Sequence, residues 1–169
     1  MNAGAYGGEM KNVLKEVTVL TKEGEVLVIP AKALELGYRT SVIPKNGWIV
    51  LGAVLQLKKG DQEQILARME ELKEQRITKQ PLDLPSAGST FKRPEGYFAR
   101  KLIMDAGLRG FTVGGAQVSE KHCGFVVNRG NATAADVWEL ICEVKRRVKE
   151  MTGVELEPEV KLLGDFPQR

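Results

Sequence analysis

Histidine is almost absent from this 169-residue chain: His122 is the only one. That scarcity excludes a histidine-rich metal centre, and no metal site is expected; a Ser-His-Asp hydrolase would have to use this single imidazole. Cysteine is nearly as rare. Cys123 and Cys142 lie far apart and form no Cys-x-x-Cys pair, so neither a zinc site nor a redox dithiol is indicated, and buried thiols are expected. No apolar run reaches the roughly 18 to 20 residues of a membrane span. The opening Met-Asn-Ala-Gly has neither the basic flank nor the apolar core of a signal peptide, so a cytoplasmic location is expected. Surplus charge is small as well, with 25 Lys and Arg against 22 Asp and Glu for a net +3. Together with only two Trp, three Tyr and five Phe, this argues against a chain organised around nucleic acid.

What is present suffices for a packed protein. Hydrophobic residues make up 43% of the sequence, enough for one ordinary domain or two small ones. Alternating apolar residues predict a strand from Val13 to Leu20, and Lys22-Glu23-Gly24-Glu25 turns the chain into a second at Val26 to Ile29. A short helical stretch over Ala31 to Leu36 stops at Gly37, and the largely apolar Trp48 to Leu57 reads as a central strand. Asp61 suits the N-cap of a helix with Ile65, Leu66, Met69 and Leu72 on one face. Pro81 to Gly96, rich in proline and glycine, reads as a linker or functional loop unable to hold a ladder, and the domain boundary is set there, giving 1–80 and 81–169.

Beyond it, Phe98 to Ala106 reads as a helix stopped by Gly107, with short strands at Ala116 to Ser119 and Phe125 to Asn128. The longest helix follows, capped by Thr133 and Asp136 and closed at Gly153, with Lys145, Arg146, Arg147 and Lys149 on its wet face. Val154 to Leu163 reads as a last strand, at an edge or bulge because of Pro158.

Ser86-Ala-Gly-Ser-Thr-Phe-Lys-Arg93 sets a central hydroxyl, Ser89, beside two fixed positive charges, with small residues that let a ligand approach the backbone. Four further segments join it in order: Asn2-Ala-Gly-Ala-Tyr-Gly-Gly-Glu9, Gly37-Tyr-Arg-Thr-Ser41, Gly114-Gly-Ala-Gln-Val-Ser119 with Lys121-His122 and Val127-Asn128, and Leu156-Glu-Pro-Glu-Val160. The set resembles the MurB family, the flavin-dependent UDP-N-acetylenolpyruvoylglucosamine reductases of peptidoglycan synthesis. The resemblance implies an α+β architecture: the carboxyl-terminal part of a flavin-binding, PCMH-like domain followed by a small α+β substrate-binding domain.

In such a family the chemistry is reduction of UDP-N-acetylglucosamine enolpyruvate to UDP-N-acetylmuramate with FAD as cofactor and NADPH as reductant, a cell-wall step tied to cell shape, cell cycle and division. Negative charge gathers on the substrate during hydride addition and calls for a fixed cation and a proton source. By position, Arg39 matches the catalytic arginine, Ser89 the proton donor and Glu159 the second catalytic acid. Asn2, Gly4, Ala5, Tyr6 and Gly7 match a flavin-domain segment. Tyr38, Lys92, Arg93 and His122 match substrate-binding positions.

Members of the family begin with a half-domain carrying a second glycine-rich loop for the FAD pyrophosphate, and this chain starts part-way through that domain. Flavin binding by the chain alone is therefore expected to be weak or absent, and the strand faces near residues 13 to 57 are expected to favour self-association or instability. The short link from Leu57 to Asp61 matches the subgroup lacking an inserted loop there. Two alternatives stand beside the reductase: a UDP-sugar-binding fragment without catalysis, and an RNA or protein interface on the basic face of the last helix.

Overall fold

A computed structural model describes residues 1–166. It is a mixed helix-and-strand structure that divides into two compact units, 1–72 and 73–169. The composition-based boundary at 80/81 lies just beyond the end of helix α2 (Gln62–Lys79), whereas this division falls within that helix.

The first unit opens on a hairpin, β1 (Gly4–Ala5) with β2 (Gly8–Glu9), turned by Tyr6 (φ 51°) and Gly7 (φ 83°). Positive φ at both central residues is what a two-residue hairpin turn requires. A three-stranded antiparallel sheet follows, of β3 (Leu14–Leu20), β4 (Val26–Pro30) and β5 (Ile49–Leu55) in the order β4-β3-β5. On β3, Val17 and Val19 point one way and are buried with Leu34, the period of two that the sequence pattern predicts. Ser41, wholly buried, caps the short helix α1 (Val42–Asn46) by accepting from Ile43 N at 3.3 Å.

Two expectations fail in this unit. The central strand is β3, not β5: β5 lies at the sheet edge, with Ile49, Val50, Leu51, Val54 and Leu55 all exposed. An unbroken apolar run records that a strand needs cover on both faces, not which neighbour supplies it. The helical stretch over Ala31 to Leu36 contracts to a single 3-10 turn, Ala31–Ala33. In α2, Asp61 does cap the helix, accepting from Gln64 N at 2.9 Å, yet Ile65, Leu66 and Met69 are exposed.

In the second unit a four-stranded antiparallel sheet runs in the order β6-β9-β8-β7, from β6 (Ser86–Ser89), β7 (Thr112–Val113), β8 (Ala116–Val118) and β9 (Phe125–Asn128). Helices α3 (Ala99–Asp105) and α4 (Ala134–Thr152) supply the rest of its core. Leu140, Ile141, Val144 and Val148 of α4 are all but fully buried, each worth roughly 1.5–3 kcal/mol against exposure. Thr133 Oγ1 accepts from Asp136 N at 3.1 Å while the Asp136 carboxylate accepts from Thr133 N at 2.9 Å. The bond from Thr133 N, and after it one from the Thr133 side chain, hold the Asp136 carboxyl below the usual carboxylate range. Gly153 closes the helix at φ 73°.

The segment read as unable to hold a ladder contains β6. Ser86 pairs with Val127 and Ser89 with Phe125, so β6 carries one extra residue between them, a bulge accommodated by Gly88 at φ 85°. Conversely, Val154 to Leu163 forms no strand, only an isolated bridge between Phe91 and Pro158. Proline has no N–H to extend the pairing.

The β7–β8 turn packs tightly: a Cβ on Gly115 would overlap the Gly130 carbonyl and stand 2.6 Å from Ala132 N. Gly115→Ala is expected to cost about 1–3 kcal/mol, because backbone must move. Urea unfolding should show a midpoint shift larger than for Gly52→Ala, whose Cβ meets nothing within 4 Å.

Candidate functional site

In the first unit, the hairpin and the Gly37–Thr40 turn enclose a cleft of about 230 Å³ lined by Asn2, Gly4, Ala5, Gly7, Gly8, Glu9, Tyr38 and Arg39. Small residues keep its backbone open to a ligand. Arg39 sits in the left-handed region at φ 54°, unusual for a long side chain, and Gly37 and Thr40 hold it there by exchanging N–H to carbonyl bonds of 3.2 and 3.3 Å. Its guanidinium lies 5.3 Å from the Tyr38 ring centroid and reaches Gly4 O at 3.5 Å.

Asn2 is a brace for this cleft. It is buried, and its amide nitrogen donates to Glu9 Oε2 at 2.7 Å and Gly37 O at 3.1 Å while its carbonyl oxygen accepts from Lys11 N at 2.9 Å. The Glu9 carboxyl is thereby held below its ordinary range, first by the hydrogen bond from Lys11 and then by that from Asn2. Tyr6, at the hairpin tip, is exposed and does not line the cleft.

In the second unit one buried residue, Thr90, joins three segments. Its N–H donates to Gly124 O at 2.8 Å, its Oγ1 accepts from Val126 N at 3.0 Å, and its carbonyl accepts from Glu159 N at 2.8 Å. Lys92 N donates to Glu157 O at 2.8 Å, and the Lys92 ammonium pairs with the Glu157 carboxylate. Ser89 and Glu159, distant in sequence, therefore stand on adjoining backbone, with Ser89 exposed and Glu159 half-buried. Arg93 lies 4.1 Å from the Phe98 ring centroid.

His122 joins the same end of the sheet through the turn before β9. Its Nδ1 accepts from Gly124 N at 3.1 Å and its ring meets Phe125 edge to face at 4.9 Å. Burial, aided by the Arg100 charge, lowers its pKa from 6.5 and favours the neutral imidazole.

The candidates thus gather in two places. Arg39 and Tyr38 share the first unit's cleft with Gly4, Ala5 and Gly7; Ser89, Lys92, Glu159 and His122 share one end of the second unit's sheet. Sequence reasoning missed Thr90, whose hydroxyl gave no signal apart from its place beside Ser89. A larger cavity of about 560 Å³ along α4 contains none of the candidates. Two of the basic residues there are paired: Arg146 binds Glu143, whose pKa is held down to about 2 by Arg146 and the neighbouring Arg147, and Lys149 pairs with Glu155.

Residues 80–163 match the family model of the UDP-N-acetylenolpyruvoylglucosamine reductase C-terminal domain. The chain belongs to the MurB family. It is 64% identical over 165 residues to the UDP-N-acetylenolpyruvoylglucosamine reductase of Lachnoclostridium phytofermentans, covering 98% of this chain and 53% of that protein. With the reductase of Clostridioides difficile the identity is 56%, covering 98% and 54%. Among solved structures, the reductase (MurB) of Thermus caldophilus is 42% identical, with a TM-score of 0.80 over 94% of this chain and 57% of that chain. The chain spans about half the length of the curated MurB relatives it matches.

Because His122 is the only histidine, its titration is directly readable by NMR. The imidazole is expected to titrate below 6.5 in the folded protein and to return to its ordinary value in urea. Its pKa being depressed by folding, its contribution to stability is present above pH 6.5 and lost as pH falls through the folded-state value.

Proposed function

We propose that these residues serve an FAD-dependent, NADPH-consuming reduction of UDP-N-acetylglucosamine enolpyruvate to UDP-N-acetylmuramate, in cytoplasmic peptidoglycan synthesis. The observation that carries this reading is the Thr90 junction, which sets the Ser89 strand against the Glu159 segment. Every motif matched to the family's catalytic positions falls within one of the two assemblies just described.

The first unit's cleft fits a flat cofactor ring: Gly4, Ala5 and Gly7 line it, and Gly7 has open space where a side chain would stand. These residues would hold FAD, whose chemistry when bound is to pass hydride from NADPH to the substrate. The planar guanidinium of Arg39 can grip the enolpyruvyl carboxylate with two parallel hydrogen bonds, offsetting the charge that collects there during reduction. Ser89 Oγ gives its proton to the neighbouring carbon, and its alkoxide takes a proton back from solvent, to which Ser89 is exposed. Glu159, as the second acid, hydrogen-bonds the charged intermediate before the Ser89 proton arrives, and Lys92, Arg93, Tyr38 and His122 bind the rest of the sugar nucleotide.

A second reading, binding of the UDP-sugar without turnover, is favoured for the chain taken by itself by the second unit's own core around α3 and α4. Heat on titrating the UDP-sugar in the absence of FAD, with no NADPH consumption, supports it.

In a polypeptide of the relatives' full length carrying this sequence, Ser89→Ala is expected to lower turnover by about 10²–10⁴-fold. NADPH-dependent bleaching of the flavin should persist, since Ser89 acts after the reductant. A Ser89→Ala protein with unchanged steady-state turnover contradicts the proton-donor assignment.

A further inference from the structure

Glu9 ends β2 and stands opposite Gly4 on β1. Its side chain lies across that glycine, since a Cβ on Gly4 would stand 2.9 Å from Glu9 Cγ. The carbonyl of the same glycine is the one that Arg39 reaches at 3.5 Å, and both Glu9 and Arg39 line the first unit's cleft.

From the Glu9 carboxylate a chain of contacts leads to the turn that carries Arg39. Glu9 Oε2 accepts from Asn2 Nδ2 at 2.7 Å and pairs with the Lys11 ammonium at 3.0 Å. Asn2 Nδ2 has two hydrogens to give, and the second goes to Gly37 O at 3.1 Å. With Oδ1 taken by Lys11 N, this buried side chain has no donor left for a bound cofactor. A carboxylate only accepts, so it selects the N–H edge of the amide. Turned over, the amide would set its own oxygen against both the carboxylate and the Gly37 carbonyl. Gly37 in turn exchanges bonds with Thr40, closing the turn in which Arg39 sits at φ 54°. A turn strained at a non-glycine residue keeps its shape only while its surroundings hold it. After the hydrogen bonds from Lys11 and Asn2, the charge of Arg39 itself helps to keep Glu9 ionised.

We infer that Glu9 and Asn2 are positioning residues for Arg39: the carboxylate orients the amide, the amide holds Gly37, and the held turn presents the guanidinium at the cleft. This rests on the reading of Arg39 as the group that grips the substrate carboxylate. It moves Asn2 from the cofactor contacts, where the family match sets it, to the support of the cation.

Kinetics and flavin titration of a polypeptide of the relatives' full length carrying this sequence test the assignment through Glu9→Ala, Glu9→Gln, Asn2→Ala and Arg39→Ala. Glu9→Ala and Asn2→Ala are each expected to lower kcat/KM for the enolpyruvyl sugar nucleotide by about ten- to a hundredfold. The flavin Kd and the rate of flavin reduction by NADPH stay at the parent's values. Glu9→Gln, whose amide oxygen still accepts from Asn2, recovers most of the loss. Because the pair acts through Arg39, adding Glu9→Ala to Arg39→Ala lowers kcat/KM no further. A Glu9→Ala protein with the parent's kcat/KM overturns the inference and leaves the role of Arg39 standing. So does a Glu9→Gln protein no better than Glu9→Ala, a loss that persists in full beside Arg39→Ala, or one matched by weaker flavin binding. An Arg39→Ala protein as active as its parent, or a parent without turnover, contradicts the reading of Arg39 itself, and the positioning assignment falls with it.

Discussion

Three hydrogen bonds around a buried threonine, two through its backbone and one through its hydroxyl, set the geometry on which the second unit's candidate chemistry rests. Thr90 donates to Gly124, receives Glu159 and, through its hydroxyl, also receives Val126. Each such bond contributes only about 0.5–1.5 kcal/mol net, but leaving a buried partner unsatisfied costs about 1–3 kcal/mol, so the three segments are locked mainly by the penalty for separating them. Ser89, exposed to solvent, inherits its position from this lock and from the bulge at Gly88 that shifts the register between Ser86 and Ser89.

The first unit follows a different logic. Its cleft is shaped by turns with positive φ at Tyr6, Gly7 and Arg39, and the cost of the two non-glycine positions is met by reciprocal backbone bonds and by the Asn2 brace. Strain of this kind persists only where surrounding contacts over-determine it. In the proposed function, such a turn would give Arg39 a fixed backbone from which to present its guanidinium, a part of the preorganisation that electrostatic stabilisation requires.

Local rules carried much of the fold. The Thr133–Asp136 capping box, the stop at Gly153 and the alternation of Val17 with Val19 were legible because each depends on residues within a few positions of one another. Ser86–Ser89 was misread because its composition is that of a turn, whereas its pairing is decided by β9, a strand far along the chain. The apolar run of β5 reads as central from its own residues, but sheet order is a property of neighbours. The candidate site divides in the same way. Arg39, Ser89, Glu159 and the glycine segment are legible through their motifs. The tie between Ser89 and Glu159 is not, since no local spacing encodes a bridge from Phe91 to Pro158, nor that Asn2 would spend its amide on bracing the cleft.

Hydrogen exchange resolved by residue tests the Thr90 lock directly. The amides of Thr90, Lys92 and Glu159 are expected to be as slow as those of Ile141 and Val144 in the middle of α4, opening only with the second unit as a whole. Exchange of the Glu159 amide at the rate of an open chain, while α4 stays protected, contradicts the account.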